Sequence, residues 1–273
     1  MQKYFPSVQK KYYVEPFVGG GALLFWFLNH YGDRFEHMIA NDHNRDLIEM
    51  YKTVREEVEG LIAELRDLTL AIRSSTDPYA FYLTRRSEYN STDCTDRVRR
   101  SALLIFLNRT CFNGLYRVNR EGKFNVPFGK RPFAVIYSAE ILRRDSDALK
   151  KVEFLCGDYS KATAPKGCND QAFYYFDPPY RPLNPTSDFS RYTKEVFGEK
   201  EQIALALHCQ ELDKQGAALR PHPVNPSCSS TARNGGGCLT PSAILPDTDD
   251  SARAPHSSAS LRRAPRPLRC AAG

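Results

Sequence analysis

The tetrapeptide Asp177-Pro178-Pro179-Tyr180 holds the densest set of chemically able groups in the chain, and it follows directly on Phe173-Tyr174-Tyr175-Phe176. Four β-favouring aromatics running into an acid, two stiff prolines and a ring read as a strand that delivers a rigid site. Open α/β sheets bind their ligands at that carboxyl end. The exocyclic N6 of adenine is a poor nucleophile because its lone pair is delocalised into the ring. A carboxylate at Asp177 and the carbonyl of Pro178 are acceptors for both amine hydrogens, which polarises the nitrogen toward an electrophilic methyl group. Each proline locks its own φ and restricts the residue before it, so these acceptors are preorganised. Tyr180 offers a face for stacking the base. That amine is out of reach inside a duplex, so the base must be flipped out. A proline-rich turn without chemistry is the plain alternative.

A second site is legible upstream in Glu15-Pro16-Phe17-Val18-Gly19-Gly20-Gly21. Glycines between a strand and a helix let backbone approach a ligand closely. The pattern is not the Gly-x-Gly-x-x-Gly of dinucleotide binders, and no Walker lysine accompanies it. Asp42 closes the short apolar strand His37–Asn41. An acid about 20 residues past the glycines suits the two hydroxyls of a ribose, which points to an adenosine-containing cofactor. Asp42 serves equally well as a cap for the helix beginning near Asn44.

Strands are expected at Lys11–Pro16, His37–Asn41, Val152–Cys156 and Ala172–Phe176, with helices at Ala22–Tyr31, 46–72, Tyr79–Tyr89, Asp96–Asn108 and 199–214. Strands separated by helices imply a parallel α/β sheet with covered faces. The largely helical stretch 52–138 reads as an insertion. Within it, residues 97–131 hold nine Lys or Arg against one acid, Glu121, the footprint of a phosphate-contacting surface. No apolar run is long enough to span a bilayer, and the start lacks the pattern of a signal peptide, so a cytoplasmic protein is expected. The eight cysteines show no Cys-x-x-Cys pair, which supports neither a metal site nor a disulfide framework. From Ala217 onward there is no Phe, Trp, Tyr, Lys, Glu, Gln or Met, and 7 Arg stand against 3 Asp. Such a segment is expected to be disordered, as an out-of-frame extension or, alternatively, a natural basic tail.

With these residues in hand, the chain resembles the Dam-type family of adenine-N6 DNA methyltransferases (the D12 class) over about residues 1–216. The likeness rests on Glu15 to Gly21, on Leu107 to Asn119 with Phe124 to Gly129, and on Asp177 to Tyr180. It implies a Rossmann-like sheet carrying an inserted recognition domain. The catalytic domain would comprise 1–51 and 139–216, the DNA target-recognition domain 52–138, and the tail 217–273. It implies S-adenosyl-L-methionine as cofactor, with Glu15, Phe17, Gly19, Gly20, Gly21, Asp42, Asp158 and Asp177 around it, and Asp177, Pro178, Pro179 and Tyr180 as the catalytic set. Double-stranded DNA is the implied partner and GATC or a related palindrome the implied target. Phe112, Asn113, Leu115, Arg117, Asn119, Pro127 and Arg109 match positions that meet DNA, Arg117 being suited to a guanine and Arg109 serving structure as readily as contact. A monomer is expected.

Two departures from the family accompany the likeness. Family members usually begin with a Lys-Trp-x-Gly-Gly-Lys segment, whereas this sequence starts at Met1 and its only Trp is Trp26. The family also continues past 216 with a strand leading to a Ser-Asn pair, and Arg220-Pro221-His222-Pro223 is expected to be unable to supply it, leaving the fourth strand with an exposed aromatic edge. Impaired turnover is therefore expected of this chain. The rival readings are a non-catalytic DNA-binding remnant and an amine methyltransferase acting on RNA or protein. Cytosine-C5 chemistry is disfavoured, since it needs a Pro-Cys nucleophile and none is present.

Overall fold

The computed structural model describes residues 10–179 and 197–221. Its centre is one five-stranded sheet in the order β3-β2-β1-β4-β5, with every neighbouring pair parallel. The strands are β1 (Tyr12–Glu15), β2 (His37–Asp42), β3 (Val152–Cys156), β4 (Ala172–Phe176) and β5 (Ala218–Pro221). The aromatic run of β4 splits by the two-residue period of a strand. Phe173 and Tyr175 join the face shared with Tyr13, Met38 and Phe154, while Tyr174 and Phe176 join the face shared with Val14 and Ile39. Both faces are covered, which is why these strands read as nearly continuous apolar runs.

The larger face packs against α1 (Ala22–Tyr31), α2 (Arg45–Glu56) and α6 (Ala139–Leu149), and its core runs on into α3 (Val58–Ser74), α4 (Pro78–Asn90) and α5 (Arg97–Thr110). The other face packs against α7 (Glu199–Lys214) through Leu205 and Leu212. Helix starts follow side-chain chemistry. Asn44, Asp77 and Asp96 accept from Asp46 N, Ala80 N and Arg99 N at 3.0, 2.9 and 2.7 Å, caps worth about 1 kcal/mol each. The helix anticipated over 46–72 is in fact two, broken at Glu57 (φ −134°, ψ 38°). An uninterrupted apolar spacing hides such a break, because α2 and α3 each present an apolar stripe to α5.

The expectation that Ala217 onward contributes no strand is corrected for its first residues. Ala218–Pro221 pairs in parallel with β4, Phe173 opposite Ala218 and Phe176 opposite Pro221. Proline lacks an N–H, but a final strand position flanked on one side only by a described neighbour tolerates that loss. The edge of β4 is accordingly paired. Residues 222–273 lie outside the described residues.

Candidate active site

Parallel strands end together, so the order β3-β2-β1-β4 brings Asp158, Asp42, Glu15 and Asp177 to one edge of the sheet. β1 lies between β2 and β4, whose ends are therefore roughly 10 Å apart, two strand spacings. Glu15 sits in the middle and is only 2% exposed. Tyr13, two residues back on the same face, donates its hydroxyl to Glu15 Oε2 at 2.6 Å. Burial pushes the Glu15 carboxyl up to about 8 despite that hydrogen bond, and the neighbouring charges of Asp177 and Asp42 push the same way. The three carboxylates share one electrostatic environment.

The turn after β1 is tied to β2 at several points. Asp42 accepts from Gly19 N at 2.9 Å and from Asn44 N at 2.8 Å. Asp42 is not the cap of α2, a place Asn44 takes; it braces that cap residue from outside the helix and keeps further acceptor capacity. Burial raises its carboxyl, and these backbone donors partly offset the rise. Gly21 has φ +73°, and a Cβ there would sit 2.6 Å from the Tyr51 hydroxyl, itself donated to Gly19 O at 2.8 Å. Only glycine fits. At Gly19 (φ +49°) an added Cβ meets nothing within 4 Å, so the turn is open toward the site. Gly20 is half-buried between them. Among the described residues no side chain caps α1, and the positive dipole end of such a helix start suits an anion.

Phe17 is half-buried against Tyr159, with centroids 5.5 Å apart, and against the edge of Phe197 at 5.8 Å. Asp158 is exposed just beyond β3. Burial would raise its carboxyl, but hydrogen bonds from Ser160 outweigh that and hold it below the usual range. Asp177 and Pro178 are half-buried and Pro179 is exposed. Tyr180 lies outside the described residues.

The stretch Cys111 to Phe128 doubles back on itself through antiparallel bridges Cys111–Phe128 and Val118–Phe124. Phe112 is 51% exposed. Asn113 is exposed and in the left-handed region (φ +54°), Leu115 is half-buried and Pro127 exposed. Arg117 donates from Nε to Asn125 Oδ1 at 2.7 Å, which fixes its guanidinium. Asn119 braces the turn, its Oδ1 accepting from Glu121 N and Lys123 N at 3.0 and 2.9 Å. Arg109 donates to Val135 O at 3.0 and 2.9 Å, which supports the structural half of its expected role. The basic segment is less uniform than its composition implied. Arg97, Arg99 and Arg100 bind acids of α2, α3 and α4, whereas Arg120, Lys123, Lys130 and Arg131 are exposed around the hairpin.

Asn41 escaped the sequence reading. Buried at the end of β2, its Nδ2 donates to Pro16 O and Gly157 O, both at 3.0 Å, stitching together the loops that follow β1 and β3. An amide in an otherwise apolar strand was the available signal. Tyr51, the lock on the glycine turn, looked like one more apolar helix position.

Comparison with known proteins agrees with this geometry. The model of the D12 class N6 adenine-specific DNA methyltransferase family matches residues 1–231. The chain is 45% identical over 213 residues to the type II methyltransferase M.MjaIII of Methanocaldococcus jannaschii, covering 77% of this chain and 72% of that one. It is 35% identical over 216 residues to the type II methyltransferase M1.LlaDCHI of Lactococcus lactis (78% and 72%). Against the DNA adenine methylase of Haemophilus influenzae it is 34% identical over 215 residues (79% and 70%). A parallel sheet with acids gathered at one edge is the frame such chemistry needs, and the chain belongs to the D12 class of N6 adenine-specific DNA methyltransferases, enzymes of DNA adenine methylation.

Proposed function

We propose that this chain uses S-adenosylmethionine to methylate N6 of an adenine flipped out of duplex DNA, within GATC or a related palindrome. The observation that carries the proposal is the convergence of Glu15, Asp42 and Asp177 beside the start of α1, where Gly21 stands as the N-cap. These residues fit the cofactor's chemistry. Acids suit its cationic groups, the start of α1 suits its carboxylate, and the opening over Gly19 leaves space for it. Asp42 would hold the ribose, with Phe17 and Asp158 flanking the adenosine. When bound, the cofactor supplies an electrophilic methyl group.

The chain's own residues do the rest. Asp177 and the Pro178 carbonyl accept the two N6 hydrogens, which frees the nitrogen lone pair from the ring and aims it. Asp177 would take the proton that the amine gives up when the methyl–sulfur bond of the cofactor is exchanged for the new N–C bond, leaving a neutral thioether. Tyr180 stacks on the extruded base. Arg117, steadied by Asn125, reads a guanine of the target, with Leu115 and Pro127 at the base edges and Phe112 and Asn113 at the gap left by the flipped base. Residues 52–138 act as the recognition domain.

The test is methyl incorporation from labelled S-adenosylmethionine into duplexes that differ only in GATC against GTAC. Incorporation confined to the first, and lost by about 100-fold or more in Asp177→Ala, is expected. Salt-sensitive duplex binding without cofactor affinity would instead identify a DNA-binding remnant.

A further inference from the structure

We infer that Asn41 is a positioning residue for the adenosine half of the cofactor: one buried amide fixes the spacing of the two loops that carry Phe17 and Asp158. It rests on the functional reading above, to which it adds the residue that shapes the adenosine wall from behind.

An aliphatic side chain would suit position 41 better on burial alone. Met38, Ile39 and Ala40 precede it in a strand covered on both faces, and Asn41 is only 1% exposed. Burying an amide is costly unless it is hydrogen-bonded. Its Nδ2 donates to Pro16 O and to Gly157 O, both at 3.0 Å. Two carbonyl acceptors settle which end of the amide is the nitrogen. Oδ1 is buried and has no hydrogen-bond partner among the described residues. The amide therefore serves through its two donors.

The main chain of the same strand end closes both clamps. Val18 N donates to Asn41 O at 2.8 Å, and Gly157 N donates to Asp42 O at 3.0 Å. Phe17 is thus held on either side, at Pro16 through the amide and at Val18 through the backbone. Gly157 is held at both its N–H and its carbonyl, in a conformation (φ +137°) that L side chains rarely adopt, and Asp158 follows it directly. β2 lies between β1 and β3, so the two loops leave strands roughly 10 Å apart with no ladder between them. The Asn41 side chain spans that distance. Beyond it the loops meet, the Phe17 and Tyr159 rings lying with centroids 5.5 Å and planes 31° apart, a continuous wall next to Asp158.

Without the two donors, Pro16 O and Gly157 O lose the group that draws them together. A ligand that needs Phe17 and Asp158 at one spacing must then order the wall as it binds, which weakens it. The hairpin surface over 112–127 is not part of either clamp.

The test compares the full chain with Asn41→Leu, which keeps the branched shape and removes both donors, and with Asn41→Ala, which removes them without adding bulk. Calorimetry would give the affinity for S-adenosylhomocysteine, displacement assays those for adenosine and for methionine, and anisotropy that for a labelled duplex without cofactor. We expect S-adenosylhomocysteine and adenosine to bind about 10-fold more weakly in either variant, the worth of two hydrogen bonds. Methionine and duplex affinities should stay within about twofold, a split that general loosening would not produce. S-adenosylhomocysteine affinity kept within twofold in a folded variant overturns the inference and leaves the functional reading standing. So does an equal loss for methionine or duplex. Where circular dichroism shows that neither variant folds, hydrogen exchange on the unaltered chain decides. S-adenosylhomocysteine should slow exchange in segments 15–19 and 156–159 together, and protection of one without the other overturns the inference. An unaltered chain that binds no S-adenosylhomocysteine defeats the functional reading itself, and the inference with it.

Discussion

Glu15 illustrates how one buried carboxyl records its surroundings. Its folded pKa of about 8 lies above the ordinary 4.5, so between those values the folded chain holds a proton that the unfolded chain has released. Stability from this group is complete below about pH 4.5 and is lost as pH rises through about 8, at about 1.4 kcal/mol per pH unit inside the window. Urea unfolding across pH 5–8 should show Glu15→Gln with the shallower decline. Asp145, raised to about 7 chiefly by burial, adds its own slope, so the difference between the two proteins is the quantity to compare. An unchanged slope would mean that Glu15 is not protonated in the folded state. Arg117 makes a separate prediction. Replacing it by alanine should relax discrimination at one base pair by about 1–3 kcal/mol. Arg131→Ala at the exposed hairpin base should weaken all duplexes alike and reduce the salt slope by about one. Competition binding with point-changed duplexes separates the two outcomes.

Among the elements, β5 has the sharpest consequence. A chain ended after Gly216 would leave the outer side of β4 without its described partner, and four residue pairings would be lost. With about 1 kcal/mol net per hydrogen bond, a loss of a few kcal/mol and a rise in light scattering are expected; a thermal midpoint within 1 °C of the full chain would show β5 to be dispensable. The same strand marks the limit of what could be read from residues alone. β1 to β4, α1, α4, α5 and α7 were legible because their apolar spacing and bounding Gly, Asn and Asp are local properties. β5 was hidden because Ala-Leu-Arg-Pro carries almost no strand signal of its own and forms by pairing. At the site, Glu15, Asp42 and the glycine turn were legible by type and spacing. Asn41, Tyr51 and Asp46 were not, because each acts on atoms brought near only by folding: Asn41 on Gly157, Tyr51 on Gly19, Asp46 on Arg100. The basic segment 97–131 shows the reverse error. A run of positive residues looked uniform in sequence, and the fold spends three of its arginines on interhelical acids.

Across the molecule, the strand that stands at the middle of the sheet is the first of the described strands to be made. β1 finds β2 after a short helix, but β4, its other neighbour, begins only at Ala172. At about 5–20 residues added per second, a ribosome needs on the order of ten seconds or more to supply it. For that interval the nascent chain carries Tyr12–Glu15 with one side unsatisfied. The α3–α5 helices emerge meanwhile and can consolidate early, being rich in short-range contacts. Newly made chains should therefore lean on holdase chaperones until β4 has been translated, and slowing translation within α3–α5 should lower soluble yield more than slowing it after β4.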